Sequence, residues 1–333
     1  MHNGWFTSII IPAKNEEDYI SDVITNIPDW IDLILVVDDG STDNTSDIAK
    51  KSLDNMGRDD FENGSSGPWS SLLRLKGEGV GNAIMKGYQY ILTSKNKQHQ
   101  EYYLKHKSAS IVMAGDGQMD PKDLAKLLEP IISGETRYSK GNRFAENMQI
   151  HNMPLKRRIG SKLLSTLTRL ASGITVKDPQ CGYTAVNLSI FEEINIENPW
   201  KGYGYPNWIL LKLGTNSENV KEIPTKCIYR DEKSGIKLWS FLPLVAAMLF
   251  IGLWKRGTKW YILGQGVSRS RWYVRTFMIS SWFSIWSTLL VLLVTKIDYP
   301  INIKKPVLIL QMILGIYLCY IVDRYEVHRK LKS

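Results

Sequence analysis

Cysteine is scarce in this sequence of 333 residues, which contains only three, at positions 181, 227 and 319. No two of them stand at the Cys-x-x-Cys spacing of a zinc ribbon or a redox motif. The pattern therefore argues against a zinc site and a disulfide scaffold, and it indicates a reducing compartment.

Familiar nucleotide-binding fingerprints are also missing. Residues 76–83 (KGEGVGNA) form a glycine-rich turn, but its spacing is G-x-G-x-G rather than the dinucleotide spacing G-x-G-x-x-G, and no Walker lysine follows. The turn therefore does not by itself support a dehydrogenase or a P-loop enzyme. We expect its glycines to let the backbone approach a nucleotide or to pack a helix on a strand.

Charge is absent from two long segments near the C-terminus. Residues 276–295 run for twenty residues without a charged side chain, which at about 1.5 Å per residue matches the roughly 30 Å hydrocarbon core of a bilayer. Residues 306–322 form a second uncharged run. We predict a hairpin of two membrane-spanning helices, because one span followed by a buried helix would leave the second run without a core to pack on.

Basic residues set the expected orientation. The chain carries 42 Lys and Arg against 33 Asp and Glu, a net charge of +9, and basic residues flank the outer ends of the two runs more than the loop between them. Together with the absence of a signal-like segment before Trp5, this bias predicts cytoplasmic termini. The expected location is a cell membrane or an ER-type membrane, crossed more than once, with the N-terminal region facing the cytoplasm.

Residues 238–254 are apolar but contain Pro243, and a basic aromatic stretch follows them. A third span is one interpretation. We favour helices in the headgroup layer, because Trp and Tyr beside Lys and Arg suit that layer and an odd number of spans would put the basic tail outside. Single-stranded nucleic acid also binds such mixtures, but beside a membrane span we expect no nucleic-acid partner.

Up to about residue 235, β-branched runs alternate with helical segments. Strands are predicted at 8–12, 33–37, 71–75 and 110–114, and helices at 15–27, 45–53, 81–92 and 121–132. This alternation predicts an α/β fold with a mainly parallel sheet, whose ligands bind beyond the carboxyl ends of the strands. Residues 55–70 and 94–107 are predicted to be surface loops.

Polar residues cluster where two predicted strands end. Pro12, Asn15 and Glu16 follow the first strand, and Asp38 and Asp39 follow the second. Asp39 is predicted to accept a hydrogen bond from the imide of uracil or from the N1–H and amino group of guanine. The alternative makes Asp38 and Asp39 turn residues.

A carboxylate and a carboxamide follow the fourth predicted strand. Asp116 and Gln118 stand two residues apart on an extended strand end, so their side chains point to the same side. Their oxygens suit a hard divalent cation that also takes diphosphate oxygens. Asp120, which precedes Pro121, is predicted to cap a helix instead.

Five segments, in order SIIIPAKNEE, VVDDGSTDNT, GVGNA, GDGQMDP and GNRF, resemble glycosyltransferase family 2 and its GT-A fold over about residues 7–235. With DPQCGY at 178–183, YRDEKSG at 229–235 and a short membrane tail, the chain resembles the branch that uses polyprenyl (dolichyl or undecaprenyl) phosphate. We expect a GT-A nucleotide-sugar-binding domain at 1–235, interfacial helices at 236–275, two transmembrane helices at 276–322 and a cytoplasmic basic tail at 323–333.

The resemblance implies roles for individual positions. The positions implied for the nucleotide sugar are Pro12, Asn15, Glu16, Asp38, Asp39, Gly79, Asp116 and Arg230. Asp116 and Gln118 match the end of the family's D-x-D-x-Q signature and are implied to hold Mg²⁺ or Mn²⁺. The first Asp of that signature is Ala114 here, so one contact to metal or donor ribose is absent. Arg143, Arg157 and Ser161 are implied to hold the acceptor phosphate.

Transfer to a phosphate acceptor requires little acid–base chemistry. A phosphomonoester, whose second pKa is about 6, already carries a nucleophilic oxyanion at neutral pH, so the protein must supply position and positive charge. The predicted catalytic residues are Asp116, Arg143, Arg157 and Asp178. Asp116 is expected to hold the metal at the leaving diphosphate, and Arg143 and Arg157 to bind the acceptor phosphate. Asp178 is expected to shape the site or to act as a base. The basic helix predicted at 153–170 could also face lipid headgroups.

The resemblance thus implies a membrane-anchored enzyme that moves one sugar from a UDP- or GDP-linked donor to polyprenyl phosphate with inversion, giving a β-linked product. Homo-oligomer formation is left open. Two alternatives also remain. A processive polysaccharide synthase is disfavoured because its Q-x-x-R-W signature is missing, and a catalytically silent membrane scaffold is supported only by Ala114.

Overall fold

A computed structural model describes residues 2–61, 68–93, 107–145, 155–194, 198–226, 228, 238–267, 271–294 and 304–332. Most of the loop predicted at 94–107 lies outside these residues, as does the segment 229–235 with Arg230.

The first half of the described chain alternates strands and helices as the sequence predicts. Its elements are β1 (Trp5–Ala13), α1 (Ile20–Thr25), β2 (Leu33–Asp38), α2 (Thr45–Asn55), β3 (Asp59–Asp60), β4 (Trp69–Arg74), α3 (Val80–Leu92) and β5 (Lys107–Val112). The short β3 and the start of β4 contradict the loop predicted at 55–70. They belong to the sheet because Asp59 and Asp60 pair in parallel with Trp69 and Ser70.

The second half contains three strands that the sequence pattern did not predict. Its elements are a 3₁₀ turn (Pro121–Asp123), α4 (Leu124–Ile132), β6 (Tyr138–Asn142), α5 (Leu155–Ser172), β7 (Thr184–Asn187), α6 (Tyr205–Asn216) and β8 (Val220–Pro224). These strands have only four or five residues, and β6, with the sequence YSKGN, is buried along its whole length without a hydrophobic run.

The eight strands of the described chain form one sheet in the order β3-β4-β2-β1-β5-β7-β6-β8. Neighbouring strands are parallel except where β7 pairs antiparallel with β5 and β6. The parallel strands therefore end at one side of the sheet, which we call the carboxyl edge. Because β1 lies between β2 and β5, the chain order reverses there, and ligands bind at such a point in open α/β sheets.

Both faces of the sheet are covered, because successive side chains of a strand point to opposite faces. Ile10 of β1 lies in a cluster with residues of α3 and α6. Ile9 and Ile11 lie in a second cluster with α1, α2 and α4. This double burial explains why β1 and β2 are continuous apolar runs rather than alternating ones.

Three apolar helices follow the sheet domain. They are α7 (Leu238–Gly257), which continues into a π-helical turn (Thr258–Ile262), α8 (Trp272–Val294) and α9 (Lys304–Lys332). Within the described residues, three segments are long and apolar enough to cross a membrane: Phe241–Ile262, Trp272–Leu293 and Pro306–Lys330. The second and third contain most of the two predicted spans, and the first covers the segment for which a third span was left open.

The ends of α7 and α9 meet at the C-terminal end of α5. Arg256 of α7 forms a two-pronged ion pair with Asp323 of α9, at 2.9 and 2.8 Å, and also donates to the carbonyl of Ala171 at 2.9 Å. Arg324 donates to the carbonyl of Gly173 at 2.8 Å. Guanidinium groups thus satisfy backbone carbonyls in the last turn of α5 and just beyond its end, where carbonyls have no partner within the helix.

We expect Asp323→Ala to destabilise the protein strongly, because it leaves the guanidinium of Arg256, which is 1% exposed, without its anionic partner. The expected loss in free energy of unfolding is about 3–5 kcal/mol, measured by thermal unfolding in detergent. The control is His328→Ala, which removes an exposed side chain from the same helix. Equal losses in the two variants would contradict the role of the ion pair.

Candidate active site

The strand register brings the predicted donor-site loops together. Ala13 of β1, Asp38 of β2 and Arg74 of β4 are in register, and Val112 of β5 is level with Ile10 of β1. The residues that follow these four strands therefore lie side by side at the carboxyl edge. The last residues of these strands and the loops that follow them include Pro12, Asn15, Glu16, Asp38, Asp39, Gly79, Asp116 and Gln118.

Asn15 joins the loops after β1 and β2. Its backbone N–H donates to the hydroxyl of Ser41 at 2.9 Å, and its side-chain oxygen accepts from the N–H of Thr42 at 2.8 Å. Its φ of +57° is left-handed, a conformation that asparagine adopts more readily than most residues. The N–H of Glu16 donates to Thr45 at 2.7 Å. Asn15 and Glu16 thus fix the shape of this edge.

Asp38 is a loop-forming residue in this structure. The N–H and hydroxyl of Ser41 donate to one oxygen of its carboxylate, at 2.9 and 2.6 Å, and the hydroxyl of Ser46 donates to the other. Asp38 is also buried. These contacts match the turn role that the sequence left open for Asp38.

Asp39 links the second loop to the glycine-rich turn. Its two oxygens accept from the N–H groups of Glu78 and Gly79, each at 2.8 Å. A carboxylate has about four acceptor sites, so these two bonds leave capacity for a further donor such as a base imide.

The glycines of the turn at residues 76–83 leave room for the backbone of residues 200–202. Gly79 has a φ of +101°, and a Cβ there would collide with the carbonyl of Lys201. A Cβ at Gly81 would collide with the carbonyl of Trp200, and the N–H of Gly81 donates to Lys201 at 2.8 Å. Gly79 and Gly81 thus pack the start of α3 against the backbone of residues 200–202, a contact that the sequence did not predict. The contact of Gly79 with a nucleotide stays a prediction.

The loop after β5 places Asp116 and Gln118 at the same edge. One oxygen of Asp116 accepts from the N–H of Gln118 at 3.0 Å. Asp120 accepts from the N–H of Lys122 at 3.0 Å, which confirms its capping role. The N–H of Ile228 donates to the carbonyl of Gln118 at 2.9 Å, so Ile228 lies beside this loop.

The donor set at this loop suits a cation that takes most of its ligands from a substrate. Among the described residues there is no group of three His, Cys, Asp or Glu side chains that could hold a metal ion. Mg²⁺ is commonly bound by one or two carboxylates together with substrate phosphates and water. Asp116 and the amide oxygen of Gln118 fit that mode, whereas a cage formed by protein side chains alone does not fit.

Arg143 and Asp178 form a buried ion pair beside the end of β6. The Nε and one terminal nitrogen of Arg143 donate to the two oxygens of Asp178 at 2.7 and 3.0 Å, and the backbone N–H of Arg143 donates at 3.1 Å. The side chain of Asp178 is fully buried and that of Arg143 is 18% exposed. Lys140, also fully buried, donates from Nζ to the carbonyl of Asp178.

This cluster determines the charge of Asp178. Burial alone would raise the pKa of the Asp178 carboxyl, but the charges of Arg143 and Lys140 and the hydrogen bonds from Arg143 hold that pKa below its ordinary value. Burial lowers the pKa of Lys140, although Asp178 opposes the shift. A carboxylate with a lowered pKa is a weak proton acceptor, so the geometry favours the site-shaping role for Asp178 over the role of a base.

Helix α5 contains the other two predicted acceptor residues. The backbone of Arg157 lies in the first turn, and its side chain lies outside what the structure describes. Ser161 follows four residues later, so both positions share one face of the helix. Ser165 donates to the carbonyl of Val176 at 2.7 Å and Thr168 accepts from Asn207 at 2.6 Å, which fixes the helix against the domain.

The Arg143–Asp178 pair should make stability depend on pH. Because the folded pKa of Asp178 is lowered, its contribution is present above the ordinary value of 3.8 and is lost as pH falls through the lower folded value. We expect Asp178→Asn to lower the free energy of unfolding at pH 7 by about 3–5 kcal/mol. The variant should also lose less of its remaining stability than the unmodified protein as the pH falls into the acid range.

Chemical unfolding between pH 7 and pH 2 measures both effects. Asp54→Asn, an exposed substitution on α2, is the matched control. If Asp178→Asn lost as much stability at acid pH as the unmodified protein does, the lowered pKa of Asp178 would be contradicted.

Residues 8–195 of the chain match the family described as Glycosyl transferase family 2, which covers more than half of its length. The chain is 31% identical over 227 residues to "UDP-N-acetylglucosamine--dolichyl-phosphate N-acetylglucosaminyltransferase" of Methanococcus voltae, covering 67% of this chain and 86% of the relative. It is 25% identical over 251 residues to "Polyprenol monophosphomannose synthase" of Mycolicibacterium smegmatis, covering 74% and 86%.

A solved structure of similar fold is glucosyl-3-phosphoglycerate synthase from Mycobacterium tuberculosis in complex with Mn²⁺, UDP and phosphoglyceric acid. It is 19% identical, with a TM-score of 0.48 over 75% of this chain and 78% of that chain. With the family match and the mainly parallel sheet, the α/β GT-A architecture predicted from the sequence is confirmed. The chain therefore belongs to glycosyl transferase family 2 and is a glycosyltransferase.

Proposed function

We propose that this protein transfers a single sugar from a nucleoside-diphosphate sugar to a polyprenyl phosphate, with inversion at the anomeric carbon and a β-linked product. The observation that carries the proposal is the position of the Arg143–Asp178 pair at the edge where the donor loops meet. The names of the two curated relatives support a lipid phosphate acceptor, because one names dolichyl phosphate and the other names polyprenol monophosphomannose as the product.

The donor lies along the loops after β1, β2 and β4. Asp39 binds the base, since it is held at the centre of this group by the N–H groups of Glu78 and Gly79. Pro12, Asn15 and Glu16 form the wall beside it. Asp38 contributes by shaping its loop. The diphosphate lies towards Asp116, which follows the neighbouring strand β5.

The acceptor phosphate binds between Arg143 and the start of α5. Asp178 takes two of the five N–H donors of the guanidinium and so orients Arg143. Asp178 is thus a positioning residue. Arg157 and Ser161 belong to the first two turns of α5, and the family resemblance adds Arg230 to the residues that bind phosphate.

Charge neutralisation is what these residues contribute to the reaction. A divalent cation, Mg²⁺ or Mn²⁺, would be held by Asp116 and Gln118 and would stabilise negative charge on the leaving diphosphate. The phosphate oxyanion attacks the anomeric carbon, and the bond from that carbon to the diphosphate breaks. Arg143 and Arg157 reduce the repulsion between the two anionic groups and align the attacking oxygen.

The catalytic domain comprises residues 1–235 and faces the cytoplasm, with α8 and α9 as the transmembrane hairpin. We assign α7 to the membrane interface, because 28% of its most apolar stretch is buried in the protein, against 11% for α8 and 6% for α9. Its buried side, with Val245 and Leu249, packs against Leu164 of α5 and Leu211 of α6. An interfacial α7 leaves both ends of the hairpin on the cytoplasmic side.

The proposal is tested with the purified full chain, radiolabelled UDP- and GDP-sugars, Mg²⁺ or Mn²⁺, and a polyprenyl phosphate. We expect Arg157→Ala to raise the KM for the lipid about tenfold, since it removes one charge-assisted contact to phosphate, while the donor KM stays nearly constant. Lys162→Ala, on an exposed position of the same helix, is the control. Absence of a lipid-extractable, acid-labile product with every donor would refute the function and leave a silent scaffold.

We also expect Asp116→Asn to lower turnover about a hundredfold, the usual cost of removing one stabilising group from a developing charge, and to raise the metal concentration needed for half-maximal activity. Asp120→Asn is the control, because asparagine caps helices as well as aspartate does. Similar metal dependence in both variants would argue against a cation at Asp116.

A further inference from the structure

A groove of about 520 Å³ lies on α7 and the π-helical turn that follows it. Its walls include the large apolar side chains Phe250, Ile251 and Leu263, which are 55, 53 and 63% exposed. Trp254, at the groove, packs against Trp282 of α8 with ring centres 5.1 Å apart. The groove is therefore continuous with the surface of a candidate membrane span.

Lys255 and Lys259 line this groove, and Lys212 of α6 lies close enough for their charges to act on it. We call these three residues the lysine patch. Lys212 lies over the ring of Trp208 at 5.3 Å. Burial, and then the charges of Lys255 and Lys259, lower its pKa. Lys259 donates to the side-chain oxygen of Asn216 at 2.8 Å, and within the described chain neither it nor Lys255 forms an ion pair.

The lysine patch lies away from the candidate active site. Helix α6 begins beside Gly81 at the carboxyl edge and ends at Asn216, the partner of Lys259. Its twelve residues span about 18 Å at 1.5 Å per residue. Lys259 and the carboxyl edge of the sheet therefore lie at opposite ends of α6.

We propose that this groove and the lysine patch bind an anionic phospholipid of the bilayer, with the headgroup phosphate at the lysines and acyl chain along Phe250, Ile251 and Leu263. Repulsion within the patch is relieved by a phosphate, and the exposed apolar walls are covered by hydrocarbon. The bound lipid fixes the depth at which α7 lies in the headgroup layer. The proposal is independent of the transfer reaction.

The test uses the full chain in a neutral detergent, with phosphatidylglycerol or phosphatidylcholine added and bound lipid counted by native mass spectrometry. We expect preferential binding of phosphatidylglycerol. In the double variant Lys255→Gln/Lys259→Gln we expect its affinity to fall about 25-fold, since each lysine near an anionic surface contributes about fivefold. The control, Lys50→Gln/Lys51→Gln on the exposed face of α2, removes the same charge elsewhere and should change little.

A second variant examines the apolar wall. Phe250→Ser should weaken phosphatidylglycerol binding while sugar transfer in detergent stays at the level of the unmodified chain. Equal binding of the two lipids, or unchanged binding in the lysine double variant, would overturn the proposal. Displacement of phosphatidylglycerol by an equimolar amount of undecaprenyl phosphate would overturn it too, because the groove would then belong to the acceptor.

Discussion

Parallel backbone pairing is the constraint on which this protein depends. Side by side, β4, β2, β1 and β5 run in the same direction, so each must end at the same edge of the sheet. The loops that follow these strands carry hydroxyls, amides and carboxylates. These groups form hydrogen bonds with one another where the pairing between strands ends. Asp39 illustrates this, since it accepts from two N–H groups of a loop about forty residues further along the chain. A site for a polar ligand follows from that convergence.

Much of this arrangement is predictable from the sequence, because buried parallel strands are continuous apolar runs. The runs at 8–12 and 33–37 and the polar residues after them required no further information. In contrast, β6 was missed, since YSKGN has neither alternation nor apolar length and is buried only because neighbouring strands and Asp178 surround it. The ion pair between Arg143 and Asp178 also joins residues 35 positions apart, and no local spacing encodes such a contact.

The packing partners of the apolar helices were likewise not predictable from the sequence. Composition predicts that residues 276–295 and 306–322 are able to span a bilayer, but it does not predict what α7 packs on. That depends on Leu164, Leu211 and Val245 meeting in three dimensions. Similarly, only a basic aromatic stretch after residue 254 and a basic tail at 323–333 were evident from the sequence. The pairing of Arg256 with Asp323 became identifiable only when α7 and α9 were found at the end of α5.

The closure of α5 by Arg256 and Arg324 has a consequence for biosynthesis. Both arginines come from helices that leave the ribosome after the whole sheet domain has been made. A nascent chain that has released only its first 235 residues therefore lacks the groups that terminate one of its own helices. Completion of the C-terminal end of α5 is coupled in this way to the synthesis and packing of α7 and α9.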